Sequence, residues 1–428
     1  MDSHRNAPLA SALRQRVAWL ALVFSFLISA TACQRTPLDI NGPWRGTVKN
    51  PSGEEIAFTL ELKKEGEQIT GALVNGDERV TASSGSFDGK MLKLRFDFYD
   101  AELTATLDEA GVMKGEFVRQ YRRQMLKRPL QATHNAANES ASNTPGGDVS
   151  GEWILRVGEA PKQSLWRAAF SQQGADVRGT IIPMSGDWGQ MSGAVENGEL
   201  KLYRFDGINA RVLKVKLTGQ GTWEGLVDLG LFDPQRKVVA ERLTAQNKDL
   251  VASLPNPVTY TRMSNPAEPF RFSFPDLDGK TVSATDDRFK NKVVVVSLTG
   301  SWCPNCYDEG PLLQEFYSRY RAQGLEVVAL AFEYTGEAAR DIEQVKIFAR
   351  KLGLQYPVLY AGATDETEKK LPQLVNFGAY PTMIFIGRDG LVKRIHAGFE
   401  GKATGERYLT LKTDLENLLK ELLAEDTP

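Results

Sequence analysis

Histidine is scarce: the 428-residue chain has three, His4, His134 and His396. A metal centre built from imidazole and thiolate therefore lacks ligands, and no metal or other cofactor is expected. A Ser-His-Asp hydrolase would have to rest on His134 or His396 alone. Positive charge is not in surplus either. Lys and Arg number 52 against 54 Asp and Glu, a net of -2, so no basic field exists to hold nucleic acid. Hydrophobic residues at 42% and charged residues at 25% are ordinary for globular chains, which excludes wholesale disorder and a multi-span membrane protein. Cysteine is as rare as histidine, with Cys33, Cys303 and Cys306. Two of them form a CxxC pair, and the third follows an apolar N-terminal stretch.

That stretch reads as an export signal. Arg5, Arg14 and Arg16 precede an apolar run from Val17 to Ala30, which is shorter than the roughly 20 residues that span a bilayer. Small residues, Ser29 to Ala32, lead directly to Cys33. The arrangement resembles the lipobox of bacterial lipoproteins, in which the cysteine is acylated and becomes the mature N-terminus. The family usually carries Leu where Ala30 stands. Residues 1–33 are thus expected to be a signal with Cys33 as lipid attachment point. That would put the mature chain in the cell envelope or periplasm, on a membrane anchor. By the same resemblance, Gln34 does not favour retention in an inner membrane. A cleaved signal with a chance cysteine, or an uncleaved anchor, are the alternatives. A leftover thiol in an exported protein calls for an explanation, which favours the lipid.

Two segments, 42–118 and 151–227, look alike at an offset of about 110 residues. Gly42-Pro43-Trp44 corresponds to Gly151-Glu152-Trp153, Gly66 to Gly71 corresponds to Gly174 to Gly179, and Lys114-Gly115 recurs as Glu224-Gly225. Short runs within each copy, such as Phe58 to Leu62 and Leu213 to Leu217, alternate apolar and polar residues. That period of two predicts antiparallel strands with one wet face. Each copy resembles a small up-and-down β-barrel. The expected organisation is β repeat 1 over 41–130, a linker over 131–149, β repeat 2 over 150–250, a proline-bearing linker over 251–265, and an α/β domain over 266–428. A basic cluster, Arg119, Arg122, Arg123, Lys127 and Arg128, reads as a solvated strand end. The aromatics Trp44, Phe87, Phe96, Phe98, Trp153, Trp166, Trp188 and Trp223 read mainly as barrel core.

From Phe270 onward the pattern changes. Val293 to Val296 is a β-branched run, as in a strand covered on both faces. Leu312, Leu313, Phe316, Tyr317 and Tyr320 follow at helical spacing, and Gly324 ends that helix. Further strands are expected at 327–332, 382–386 and 392–397, with helices at 337–352, 366–376 and 404–423. The result is an α/β layer fold. Trp302-Cys303-Pro304-Asn305-Cys306 lies between the first strand and its helix. There Cys303 faces unsatisfied backbone N–H groups and the positive end of the helix dipole, so its thiolate is favoured. Cys306 sits one turn further in, where it is more buried. Such a pair can cycle between dithiol and disulfide. A purely structural bridge closing so short a loop would constrain the unfolded chain little.

Three stretches together resemble the TlpA/ResA-like membrane-tethered thioredoxins of the AhpC/TSA–Redoxin superfamily. These are Phe274 to Val282, Phe289 to Val296, and Trp302 to Cys306 with Glu309 and Pro311. The resemblance covers about 266–428 and implies a multidomain chain in which two β-barrel or meander repeats precede a thioredoxin-like domain. It places Tyr380-Pro381-Thr382 at the cis-proline loop, where the backbone of Tyr380 would offer an edge to a substrate strand. Trp302 would shape the same docking face. Thioredoxins carry a buried acid six residues before the first cysteine, and here that residue is Ser297. The TlpA-like family offers a substitute acid at Glu309, one turn from Cys306. Whether Glu309 accepts the Cys306 proton or is a solvated surface acid stays open, and Glu333 is a second candidate. The resemblance implies an extracytoplasmic thiol–disulfide oxidoreductase, in the reductase direction. Its partners would be protein disulfides and a membrane redox donor protein. Two alternatives are a ligand-binding lipoprotein whose β repeats carry the main role, and a thiol peroxidase of the same superfamily. The Pro-x-x-x-Thr-x-x-Cys context of peroxiredoxins is missing.

Overall fold

The computed structural model describes residues 39–134, 147–219, 221–230 and 235–426. Cys33, the export segment and the middle of the 131–149 linker lie outside the described residues. None of the described helices is long and apolar enough to cross a membrane.

The first unit is a nine-stranded antiparallel sheet that begins with Gly42–Lys49 and ends with Gln124–His134, past the expected boundary at 130. The second is a closed eight-stranded barrel from Gly151–Val157 to Arg236–Arg242, whose first and last strands pair. Equivalent residues do equivalent work in the two copies. Trp44 Nε1 donates to the Ile40 carbonyl at 2.9 Å, and Trp153 Nε1 donates to the Val149 carbonyl at 2.8 Å. Gly66 and Gly174 turn their hairpins with φ of +64° and +63°, where a side chain is strained. The barrel interior is filled by its own side chains, Trp153, Trp166, Trp188 and Trp223 among them.

The first sheet is completed by its neighbour. The barrel hairpin formed by Glu199–Phe205 and Ala210–Leu217 sends its tip into the first unit's core. Phe205 meets Phe58 and Phe117 edge-on at centroid distances of 5.1 and 5.0 Å. The Asn75 amide donates to the Phe205 carbonyl at 2.9 Å and accepts from the Phe205 N–H at 3.0 Å. This junction also corrects the reading of the basic cluster at Arg119 and Arg128, while Arg122, Arg123 and Lys127 are exposed as expected. Arg119 is 2% exposed and Arg128 fully buried. On paired strands, Phe117, Arg119 and Tyr121 share one face with Leu126, Arg128 and Leu130, and that face is the inner one. Arg128 Nη2 donates to the carbonyls of Ile208 at 3.1 Å and Gly230 at 2.9 Å, both in the barrel.

The third unit is an α/β layer. Its five strands are β1 (Val293–Thr299), β2 (Leu325–Glu333), β3 (Val358–Ala363), β4 (Thr382–Ile386) and β5 (Val392–Ala397). They lie in the order β3-β2-β1-β4-β5, parallel from β3 to β1 and antiparallel beyond. Helices α1 (Pro304–Tyr320), α2 (Ala338–Leu352) and α3 (Glu406–Ala424) contribute to the core on one face. Phe270, Phe272, Val282 and Phe289 cover the other. Two expectations are corrected. The edge strand β3 was not anticipated. The helix expected over 366–376 is one turn, Thr367–Lys370. Pro372 ends it, because the residue before a proline is steered away from helical angles and Leu371 sits at φ -126°, ψ 61°. The segment expected to link at 251–265 is tied down: Arg262–Met263 pairs with Leu374–Val375, and the Pro257 carbonyl accepts from the Ala397 N–H at 2.9 Å.

Candidate active site

Strand β1 is buried throughout and delivers its C-terminal end to the start of α1. Between them, Ser301 is fixed by Glu333 at the end of β2. One carboxylate oxygen accepts from the Ser301 N–H and the other from its hydroxyl, each at 2.7 Å. The side chain of Trp302 donates to the Phe332 carbonyl at 2.8 Å, stacks on Tyr334 at 4.1 Å and meets Tyr380 edge-on at 5.3 Å.

Cys303 is the N-cap of α1, Pro304 takes the first helical position, and Cys303 Sγ accepts from the Cys306 N–H at 3.3 Å. Pro is suited to that position because its missing N–H would have no helical partner. Both cysteines are free thiols; Cys303 is 4% exposed and Cys306 is fully buried. The Cys306 thiol is pushed well up, first by burial and then by Cys303 and the nearby Glu309, against a hydrogen bond with Thr299.

Glu309 is buried, not solvated. Its Oε2 accepts from the Ser297 hydroxyl at 2.6 Å, while Oε1 has no partner. The two positions that the family resemblance treats as alternatives, Ser297 on β1 and Glu309 on α1, are therefore in contact. Burial pushes the Glu309 carboxyl up to about 8, opposed by the Ser297 hydrogen bond. Glu333 is pushed up to about 8 by burial as well, opposed by its bonds from Ser301. The Tyr380–Pro381 peptide is cis, and Thr382 Oγ1 donates to the Ala379 carbonyl at 2.7 Å. Trp302, Cys303, Cys306, Glu309 and Tyr380-Pro381-Thr382 thus converge around the start of α1.

Sequence reasoning missed what covers this site. From the first unit, the Phe98 carbonyl accepts from the Tyr307 hydroxyl at 2.7 Å, and Asp100 pairs with Arg340. The Phe98 and Tyr99 rings meet the Tyr307 ring at 5.9 and 5.2 Å. From the barrel, the loop Pro183 to Asp187 reaches the turn after β5. Gly186 bridges Phe399 in parallel, the Asp187 N–H donates to the Phe399 carbonyl at 3.2 Å, and an Asp187 carboxylate oxygen accepts from the Gly401 N–H. Asn305, inside the CxxC pair, donates to the carbonyls of Ser185 at 3.3 Å and Phe399 at 3.2 Å. The one signal available was glycine: Gly186 has φ +108°, and a Cβ there would overlap Phe399 and Asn305.

A free thiol capping a helix, a buried thiol one turn behind it and a cis-proline loop beside both make a dithiol–disulfide centre. Residues 266–395 match the AhpC/TSA family. The thiol-disulfide oxidoreductase ResA of Bacillus anthracis is 33% identical over 138 residues, covering 32% of this chain and 72% of that one. The chain belongs to the AhpC/TSA family. It is a thiol–disulfide oxidoreductase with a thioredoxin-like C-terminal domain. The thioredoxin-like protein YneN of Bacillus subtilis (strain 168) is 30% identical over 140 residues, covering 33% of this chain and 75% of its own. Among solved structures, a putative thiol:disulfide interchange protein DsbE from Chlorobium tepidum aligns over 38% of this AhpC/TSA chain and 99% of its own, at 21% identity and a TM-score of 0.30.

Proposed function

We propose that the chain reduces protein disulfides outside the cytoplasm, with Cys303 as the attacking thiol and Cys306 as the resolving one. The Cys303 thiolate attacks a substrate disulfide, forming a mixed disulfide and releasing one substrate thiolate. Cys306, deprotonated, then attacks Cys303 Sγ. The second substrate thiolate leaves, and a Cys303–Cys306 disulfide remains. A membrane dithiol protein returns two electrons and two protons to reset the pair. Glu309 takes the proton from Cys306 in the resolving step, through its unpartnered Oε1. Trp302 and the Tyr380-Pro381-Thr382 loop dock the substrate strand. Cys33 carries the lipid that holds the mature chain to a membrane.

The observation that supports this reading best is the asymmetry of the pair: Cys303 at the helix N-cap with an N–H directed at its sulfur, Cys306 buried behind it. The test is insulin reduction by the full mature chain. Cys303→Ser is expected to abolish turnover. Cys306→Ser is expected to accumulate mixed disulfides with envelope proteins, read on non-reducing gels. Turnover by Cys303→Ser equal to the wild type would overturn the assignment.

A further inference from the structure

The barrel loop Pro183 to Asp187 reaches the residue between the two cysteines and the turn after β5. Met184 places its Cε close against Gly378, two residues before Tyr380, at 2.8 Å from where a Cβ would stand. The Ser185 carbonyl accepts from Asn305 between the two cysteines. Gly186 makes the β-bridge to Phe399, a contact closed to any residue with a side chain. Asp187 continues with its N–H on the Phe399 carbonyl and its carboxylate on the Gly401 N–H. Gly398, just before this strip, donates its N–H to the Pro381 carbonyl at 2.8 Å, so the strip and the cis-proline loop form one continuous edge. The loop is itself a turn: the Gly186 N–H donates to the Pro183 carbonyl at 3.1 Å, with Met184 and Ser185 at its corners, and the bridge to the edge is made by Gly186 at φ +108°.

We propose that Met184–Asp187 is a resident occupant of the substrate groove, and that a substrate's disulfide-bearing segment takes its place. This rests on the thiol–disulfide reading given above and adds the substrate class to it. The favoured segment is a tight turn with an apolar residue at its corner, followed by a glycine and an acid, in the register of Met184, Gly186 and Asp187. Cys303 is nearly closed off while the loop is in place and reacts when it leaves.

The test uses the full mature chain with Cys306→Ser, so that iodoacetamide labelling followed by peptide mapping reports on Cys303. Asp187→Ala removes the acceptor for Gly401, and Gly186→Val forces the loop off Phe399. Asp187→Ala is expected to speed Cys303 labelling about tenfold, the scale set by a charge-assisted hydrogen bond, and Gly186→Val, by steric overlap, to speed it at least as much. Gln173→Ala, at an exposed hairpin of the barrel away from this loop, is expected to label at the wild-type rate. A synthetic peptide with the sequence of residues 181–190 should slow labelling of Asp187→Ala again, and the same peptide with Val at the Gly186 place should not. If thermal unfolding shows that Gly186→Val has lost the barrel, Asp187→Ala and the peptide decide. Labelling of Asp187→Ala at the wild-type rate, insensitive to the peptide, overturns the proposal. The thiol–disulfide reading is tested apart from this, by reduction of a small aromatic disulfide with Cys303→Ser as control. Wild-type turnover no greater than that of Cys303→Ser, with the labelling pattern intact, would sink the redox reading and leave the occupied groove standing.

Discussion

A single carboxyl, Glu309, links burial to chemistry. Unfolded, it ionises near 4.5; folded, burial moves it to about 8. The unfolded chain therefore loses its proton first as pH rises. The Glu309 contribution to stability falls through the window between those values and is level on either side. Glu309→Gln carries no such penalty, so its stability advantage over the wild type should grow from pH 4.5 to pH 8 in denaturant titrations. The same variant should slow the resolving step, measured as decay of a mixed disulfide, and remove its rise near pH 8. A wild-type pH profile retained in Glu309→Gln would exclude Glu309 as the proton acceptor. At this scale the sequence was readable where the chemistry is local. The spacing of Cys303, Cys306 and Glu309 put one thiol at a helix start and an acid one turn beyond the other. The Ser297–Glu309 hydrogen bond was not readable, because it joins a strand to a helix twelve positions on and nothing local marks it.

At the level of elements, the repeat was legible because it rests on glycines with geometric duties. A Cβ on Gly115 would overlap the Thr104 carbonyl of the neighbouring strand, and one on Gly225 would overlap the Lys214 carbonyl. Gly115→Ala and Gly225→Ala should each destabilise their own unit by about 1–3 kcal/mol, as overpacking does. Urea titrations of the two variants would check this, and a neutral result at either glycine would argue against the equivalence. Elements without such punctuation were harder to read. Strand β3 follows Pro357 in a short apolar run whose period cannot tell strand from buried helix. Residues 366–376 carry helix-forming side chains up to Leu371, and the single Pro372 outweighs them.

For the whole molecule, the decisive contacts are ones no local pattern announces. The inward turn of Arg119 and Arg128 follows from strand alternation, yet charge alone suggested solvent. The hairpin tip that fills the first unit is made of ordinary residues, and only their docking partners give them meaning. Phe205 is fully buried between Phe58 and Phe117. Phe205→Ala should cost about 3–5 kcal/mol and split the calorimetric unfolding of the β region into two steps. A single unshifted transition would show that the tip is dispensable. The open first sheet also sets a limit on dissection. A recombinant piece ending at His134 would present Phe58, Phe117 and their neighbours to water with nothing to shield them, a patch of the kind that drives self-association. Such a piece is expected in inclusion bodies, whereas the piece that also includes the barrel should be recovered in the supernatant.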